Sequence, residues 1–570
     1  MNNRIWHQYY DEGVTPTMEI PDVTIYDILT RSAETYPNNP ATYFMGARMN
    51  YRTLKEKVDR FAAALVELGV KKGDRIGISL PNCPQSVIAF YAAFRIGAVA
   101  VGFNPLYVER ELIYQINDSG CETFITLDVL WERRIKGIMG DVPLKRVIVT
   151  NIRDYLPALK ALFYPIAAKK QGMWVKVQPD RRVFFFTDLV SDTGPLEDSY
   201  RGAKPEDLAL LQYTGGTTGV PKGVMLSHRN IVACTIQIGC YFTNAVEGEE
   251  RYISVIPAFH IYGLTMCTVI PVYQAAEIQL IPRFDVDMLL KAIPKIRPTY
   301  FCAVPTMYVG IIEHPELKKH DISSLKGCFS GASPLPVAVM NRFEELTGGR
   351  IIEGYGLSEA APVSHANSFF GRRKVGSVGF PVPNTDAKLV DLETGAKEVP
   401  IGEPGEVIIT GPQVMMGYWE KPEETAMTLR DGWLYTGDIG VRDEEGFFYI
   451  VDRKKDMIIA SGYNIYPREI DEVLYAHPKI MDAVAVGVPD PYRGETVKAF
   501  IVLKEGETAT EEEIKTYCRE NLAAYKVPKI YEFRDELPMS MMGKVLRKIL
   551  RDEEERKLSK GGDGGVPTTQ

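Results

Sequence analysis

The chain has 570 residues, too many for one ordinary core, and domain-size priors divide it into roughly three or four units. With 45% hydrophobic and 25% charged residues, and no low-complexity stretch before its tail, it has the composition of a soluble globular protein. A net charge of −8 gives no basic footprint for nucleic acid, and eight cysteines scattered without a CxxC or Cys/His cluster fit reduced, buried thiols in the cytoplasm rather than a disulfide framework or a zinc site.

The first residues, Met1-Asn2-Asn3-Arg4-Ile5-Trp6-His7, lack the apolar run of a signal peptide. Leu54, Val58, Phe61, Leu65 and Leu68 recur at helical spacing, so Thr53–Leu68 reads as a helix, followed by a strand at Ile76–Leu80. The apolar stretch Ser86–Phe103 is interrupted by Arg95 and Gly97. It reads as a buried helix from about Pro84 to Gly97 and a strand Ala98–Phe103, and not as a membrane span. The helix–strand alternation recurs at 110–127 and 287–304. Such alternation predicts an α/β fold with largely parallel sheets covered on both faces.

Near residue 376 the texture changes to short strands with Gly, Pro and Asp-rich turns, a small β-rich subdomain over about 376–450. After Asp452-Arg453-Lys454-Lys455-Asp456 it changes again. A helix (Pro467–His477), two strands (Ala483–Val488, Val497–Leu503) and a helix opened by Thr510 (Glu511–Leu522) predict a separate small α+β domain. The expected organisation is therefore a large N-terminal domain over 1–452, a C-terminal domain over 453–556 and a disordered tail from 557 to 570. The charged run 452–456 is either a hinge or a solvated turn.

Tyr213-Thr214-Gly215-Gly216-Thr217-Thr218-Gly219-Val220-Pro221-Lys222-Gly223 follows a strand-like Leu208–Gln212, and Ser227-His228-Arg229-Asn230 behind it can open a helix. Glycines and threonines after a strand present backbone N–H groups and hydroxyls together, a combination that wraps phosphate oxygens. The Walker A spacing is absent.

This loop resembles the phosphate loop of the adenylate-forming superfamily: acyl-CoA synthetases, luciferase-type enzymes and peptide-synthetase adenylation domains. Further motifs agree in order over about residues 25–550, and overall similarity is closest to bacterial medium- and long-chain fatty acid–CoA ligases. In Gly354-Tyr355-Gly356-Leu357-Ser358-Glu359 the resemblance implies that Tyr355 stacks on adenine and that Glu359 holds Mg²⁺ with Thr214. In Gly432–Asp438 it implies that Asp438 binds the ribose hydroxyls. In 452–456 it implies that Arg453 reaches ribose or phosphate and that Lys455 is the hinge. In Gly543–Lys548 it implies that Lys544 contacts the substrate carboxylate and the α-phosphate during adenylation. Weaker matches are His260, in Ala258–Gly263, beside the acyl carboxylate, although a core histidine reads equally well. Others are Gly331, Ala332 and Ser333 at adenine and the acyl tunnel, and Gly462 and Tyr463 where pantetheine enters. Gly215 stands where many members carry Ser.

The resemblance implies a C-terminal domain that is mobile, rotating at Lys455, with ATP, Mg²⁺ and coenzyme A used to turn a fatty acid into an acyl-adenylate and then a thioester. A ligase for an aromatic or short acid, or an enzyme loading a carrier protein, is the alternative. A dimer is common in that family, and no residue here argues for an interface. Residues 155–170 mix aromatics with basic groups, either to touch the inner face of a membrane transiently or to pack as an apolar patch on the N-terminal domain.

Overall fold

The computed structural model describes residues 4–178, 180–200, 202–214, 221–460, 463–490, 493–540 and 544–561. The elements follow the hydrophobic periodicity closely. Asn50 caps the helix Tyr51–Glu67 by accepting from the Thr53 N–H. Pro84 opens the wholly buried helix Pro84–Ile96, and Gly97 ends it in the left-handed region (φ 72°), which glycine enters without steric cost. No described helix is long and apolar enough to cross a membrane.

Among the described residues, two large sheets form the first part of the chain. An eight-stranded sheet runs Gly417–Tyr418, Lys222–Ser227, Leu208–Thr214, Val99–Gly102, Arg75–Ser79, Thr123–Leu127, Arg146–Thr150, Val183–Phe185. From Leu208–Thr214 onward its neighbours are parallel, whereas Lys222–Ser227 returns antiparallel. A nine-stranded sheet has a parallel centre made of Arg350–Gly356, Gly327–Ser330, Tyr300–Ala303, Arg251–Ser254, Glu277–Leu280 and Pro40–Phe44, with antiparallel strands at both ends. Strands such as Val99–Gly102, Tyr300–Ala303 and Gly327–Ser330 are buried at every residue, as expected where both faces of a parallel sheet are covered.

The predicted β-rich region is a five-stranded sheet containing Asp386–Val390, Gly405–Thr410, Leu429–Arg430, Trp433–Arg442 and Phe448–Arg453. The last region is a five-stranded sheet built on the long pair Ile480–Asp490 and Gly494–Leu503. Alternate residues of that pair feed two cores. Ala483, Ala485, Ala499 and Ile501 pack with Ile470, Leu474, Ile514 and Cys518, while Val484, Val486, Phe500 and Val502 pack with Leu537 and Leu550. The last helix, Arg547–Gly561, extends through 557–561, where a disordered tail was expected to begin, because Leu550 anchors its first turns in that second core. Residues 562–570 lie outside the described residues.

By contacts the chain divides into two compact units. One comprises Met1–Gly331, Val337–Asp386 and Ile409–Leu434, and the other Ala332–Pro336, Ala387–Ile408 and Tyr435–Gln570.

Within the first unit, one side chain ties the two large sheets together. Asn82, buried after the strand Arg75–Ser79, donates its amide to the carbonyls of Ser254 (2.9 Å) and Ile256 (3.0 Å) and accepts from the Ala258 N–H (2.9 Å). Gly102 adds a steric condition, because a Cβ there would stand 2.3 Å from the Phe259 carbonyl oxygen. The segment 254–260 is thus pressed against the end of the neighbouring sheet. Asn82→Ala orphans two buried backbone groups, the Ile256 carbonyl and the Ala258 N–H, each costing about 1–3 kcal/mol, while the Ser254 carbonyl keeps the Ile281 N–H at 3.0 Å. A lower urea midpoint with unchanged slope is the expected outcome, and an unaltered midpoint would show that water replaces the amide.

Candidate active site

Open parallel sheets place ligand-binding loops beyond the carboxyl ends of their strands, and in the first unit the candidate residues fall there. Thr214 ends Leu208–Thr214, Gly331 follows Gly327–Ser330, and Tyr355 lies at the end of Arg350–Gly356. Thr214 pairs directly with Lys222 across the antiparallel turn-back. The intervening Gly215, Gly216, Thr217, Thr218 and Gly219 lie outside the described residues.

From Lys222 a chain of polar contacts leads to Glu359. The Lys222 Nζ is 2.5 Å from Glu424 Oε2 and 5.4 Å from the centre of the Tyr418 ring. The Tyr418 hydroxyl donates to Glu359 Oε1 at 2.8 Å. Burial, and then the neighbouring Glu359 carboxylate, push the Tyr418 hydroxyl well above its ordinary pKa, so it stays a donor. The Glu424 carboxylate is one-third exposed, which limits its ion pair with Lys222 to about 0–1 kcal/mol. The arrangement therefore acts chiefly by position, holding the ammonium at Glu424 and over the Tyr418 ring, and one face of the Glu359 carboxylate toward Tyr418. Neither Tyr418 nor Glu424 stands in a motif read from sequence. Their only signal is Gly417-Tyr418-Trp419, whose strand pairs with Lys222–Ser227.

Gly356, between Tyr355 and Ser358, admits no side chain, because a Cβ would stand 1.8 Å from the Pro362 carbonyl oxygen. The tight return brings Tyr355 opposite His365, with ring centres 5.6 Å apart. Gly354 is packed beneath the Phe329 ring and Gly331 against the Tyr262 ring. Ala332 and Ser333 belong by contacts to the second unit, and Ala332 takes a positive φ of 69°.

His260 caps the short helix Ile261–Leu264, its Nδ1 accepting from the Tyr262 N–H at 3.2 Å. That bond leaves the ring proton on Nε2. Burial lowers the pKa to about 4, so the imidazole is neutral near pH 7 and Nε2–H is a donor.

The second unit holds the other candidates. Asp438, buried, pairs in register with Arg453, whose Nε lies 3.0 Å from Asp438 Oδ1. Gly437 (φ 71°) makes the turn before it, donating its N–H to Glu406 at 3.1 Å, and Lys454 Nζ reaches the same carboxylate at 3.0 Å. The Lys455 carbonyl accepts from Arg551 at 3.0 Å, and Arg551 also pairs with Asp456 at 2.9 Å. Burial, then Arg453, lower the Lys455 pKa. Tyr463 lies in the strand Tyr463–Ile465, and Gly462 is outside the described residues.

Lys544 stands in the field of Asp438, Arg453, Asp456 and Arg547. Its backbone is locked to Ser540: the Lys544 N–H donates to Ser540 Oγ (3.1 Å), and the Ser540 N–H donates to the Lys544 carbonyl (2.8 Å). Burial, then Arg453, bring its pKa down to about 8, with Arg547 acting in the same direction and Asp438 and Asp456 opposing. Arg547 is fixed in turn by Asp471 and by the Ala485 carbonyl (3.2 Å), while Asp471 accepts from the Ala485 N–H at 2.6 Å. Sequence reasoning quoted Arg547 within its motif and gave it no role. Asp471 lies 76 positions away, beyond any local pattern.

Among the described residues no cluster of three His, Cys, Asp or Glu side chains suits a metal. A hydroxyl at Thr214 and a carboxylate at Glu359 instead suit a hard cation that takes most of its ligands from phosphate and water. All eight cysteines are free.

Each unit thus holds a polar centre of its own, and comparison gives the family. Residues 29–419 match the AMP-binding enzyme family and residues 469–544 its C-terminal domain. The chain belongs to the AMP-binding enzyme family. Within it, the chain is 47% identical over 550 residues to a long-chain-fatty-acid–CoA ligase of Bacillus subtilis (strain 168), covering 96% of this chain and 98% of that one. It is 40% identical over 567 residues to the ligase of the same name from Escherichia coli O6:H1, covering 97% and 99%. The crystal structure of the anthranilate CoA ligase AuaEII in complex with anthranoyl-AMP superposes with a TM-score of 0.82 at 28% identity, over 95% of this chain and 99% of that one.

The environment of Lys544 predicts its titration. In pH-dependent acetylation of the full chain, Lys544 is expected to become reactive with an apparent pKa of about 8, below that of exposed lysines. Asp438→Asn removes an opposing charge and is expected to lower that value, whereas Arg453→Gln is expected to raise it. Equal reactivity of Lys544 and exposed lysines would contradict the burial argument.

Proposed function

We propose that this enzyme joins a long-chain fatty acid to coenzyme A through an acyl-adenylate, releasing AMP and pyrophosphate. The observation that carries the reading is near full-length similarity, at 40–47% identity, to two proteins named long-chain-fatty-acid–CoA ligase. The polar centres around Lys222–Glu359 and Asp438–Lys544 support it.

A carboxylate is a poor electrophile, because its two oxygens share the negative charge. Attack of one oxygen on the α-phosphorus of ATP expels pyrophosphate and gives a mixed anhydride with AMP. The thiol of coenzyme A then attacks the acyl carbon, and AMP leaves. In our assignment Tyr355 stacks on the adenine, with Gly354, Gly356, Ser358, Gly331, Ala332 and Ser333 shaping that pocket. Asp438 accepts from the ribose hydroxyls and Arg453 steadies Asp438. Residues 214–219 and Lys222 surround the phosphates. The Thr214 hydroxyl and Glu359 carboxylate would hold a Mg²⁺, which supplies charge neutralisation between phosphate oxygens. Lys544, protonated below about pH 8, contacts the acid's carboxylate and the α-phosphate as charge builds there. The His260 Nε2–H donates to the same carboxylate without adding charge.

For the second step we propose that the C-terminal domain, from residue 453, rotates at Lys455, withdraws Lys544 and brings Gly462 and Tyr463 to the pantetheine path. We place the enzyme in the cytoplasm, where its free cysteines stay reduced. A dimer is the assembly expected from its family, and sedimentation velocity checks it.

The test is AMP release from ATP with palmitate, octanoate, acetate or coumarate, with and without coenzyme A. Release that depends on coenzyme A and is greatest with palmitate is expected. AMP formed only with acetate or coumarate would overturn the substrate assignment and keep the family. Lys544→Ala is expected to lower palmitate-dependent ATP–pyrophosphate exchange by about a hundredfold or more, with a much smaller loss of thioester formation from preformed acyl-adenylate. Equal loss in both steps would refute the division of labour.

A further inference from the structure

The helix Ala158–Lys170 carries its apolar residues on the wrong side for a structural helix. Leu159, Leu162, Phe163 and Ile166 are 69%, 65%, 56% and 68% exposed. They stand at i, i+3, i+4 and i+7, one continuous stripe along a single helical face. The inward face is carried by smaller or half-buried residues at the same spacing, Ala161, Tyr164, Pro165 and Ala168, of which Ala168 is buried. Of the two expectations for this segment, an apolar patch packed on the N-terminal domain is therefore not what the stripe does. The helix is nevertheless anchored: Lys160 Nζ donates to the Met45 carbonyl at 2.7 Å, and Pro157 packs beside Gly46.

The charge around this stripe is opposite to that of the chain. Residues 151–183 contain seven Lys and Arg against two acidic residues, a net of +5 in a protein of net charge −8. Lys169 and Lys170 close the helix, Lys176 and Arg181 follow it, and all four are exposed, while Asp180, an acid in the stretch, is 3.4 Å from Arg182. Four large exposed apolar side chains are thus bordered by exposed cations, on a helix too short to span a bilayer, the composition that suits a helix lying in a membrane interface.

We propose that the helix Ala158–Lys170 docks this protein on anionic phospholipid surfaces. The stripe enters the acyl boundary, and the basic residues around it meet lipid phosphates. Long-chain fatty acids partition strongly into bilayers, so a protein resting there meets its substrate at high local concentration. The inference rests on the proposed function only for this purpose, because docking itself requires no catalysis.

The full chain is to be sedimented with vesicles of equal parts phosphatidylcholine and phosphatidylglycerol, and with phosphatidylcholine vesicles. Wild type is expected to bind the anionic vesicles, and to leave them as salt is raised. The double variant Leu162→Gln, Phe163→Ser is expected to bind about tenfold or more weakly, with circular dichroism and octanoate-dependent AMP release unchanged. Lys169→Glu with Lys170→Glu is expected to weaken binding to anionic vesicles by about tenfold or more and to leave phosphatidylcholine binding alone. The proposal is overturned if wild type remains in the supernatant, if the stripe variant binds as wild type does, or if both vesicle types bind equally. A stripe variant that converts a dimer to monomer without any wild-type vesicle binding would assign the stripe to a second copy of the chain and also overturn it. Vesicle binding without fatty-acid activation would sink the substrate assignment and leave the docking surface standing.

Discussion

The register that sets Thr214 opposite Lys222 is the constraint on which the first unit's polar centre depends. The antiparallel return of Lys222–Ser227 pins both loop ends to one edge of a mostly parallel sheet. Its other edge pairs with Gly417–Tyr418, and that second pairing delivers Tyr418 to Glu359. One ladder therefore sets Thr214, Lys222 and Tyr418 on neighbouring strands. A single-residue slip of Lys222–Ser227 would turn the Lys222 side chain to the opposite face.

In the second unit, burial rather than pairing dominates. Lys544 has acidic and basic neighbours in near balance, so desolvation decides the direction of its shift. With a pKa of about 8 it remains roughly nine-tenths protonated at pH 7. Its charge is thus present and little screened, the condition under which one cation best stabilises developing negative charge. Arg547 and Asp471 hold the surroundings in place. Because both are largely buried, removing either leaves an uncompensated charge at a cost of about 3–5 kcal/mol.

Local pattern carried much of the fold. The helix Pro84–Ile96 with its Gly97 stop, the strand Leu208–Thr214 and the helix Glu109–Ser119 all follow from residues within one turn or one strand of each other. The motif residues Thr214, Glu359, Asp438 and Lys544 were also legible, as types at fixed spacings. Asn82, Tyr418, Glu424 and Asp471 were not, because each acts on a partner 59 or more positions away, or across a sheet, where no periodicity reaches. The segment 158–170 was ambiguous for another reason. Its inward face, Ala161, Tyr164, Pro165 and Ala168, is itself nonpolar, so hydrophobic spacing could not decide which of two apolar faces meets the protein.

The rotation we propose at Lys455 would leave some ion pairs intact and open other contacts. Arg453–Asp438 lies wholly before the hinge, and Arg547–Asp471 and Arg551–Asp456 lie wholly after it. These pairs would travel intact with their own sides. The described hydrogen bonds that cross it include those of Arg468, from its N–H to Asp452 (2.8 Å) and from its guanidinium to the Ile450 carbonyl, and that of Arg551 to the Lys455 carbonyl. Each involves a charged partner, a carboxylate or a guanidinium, and is worth about 1.5–3 kcal/mol net. In that rotation the ion pairs would preserve the shape of each side, and the bonds that bridge Lys455 would have to be exchanged at a cost that substrate binding must supply.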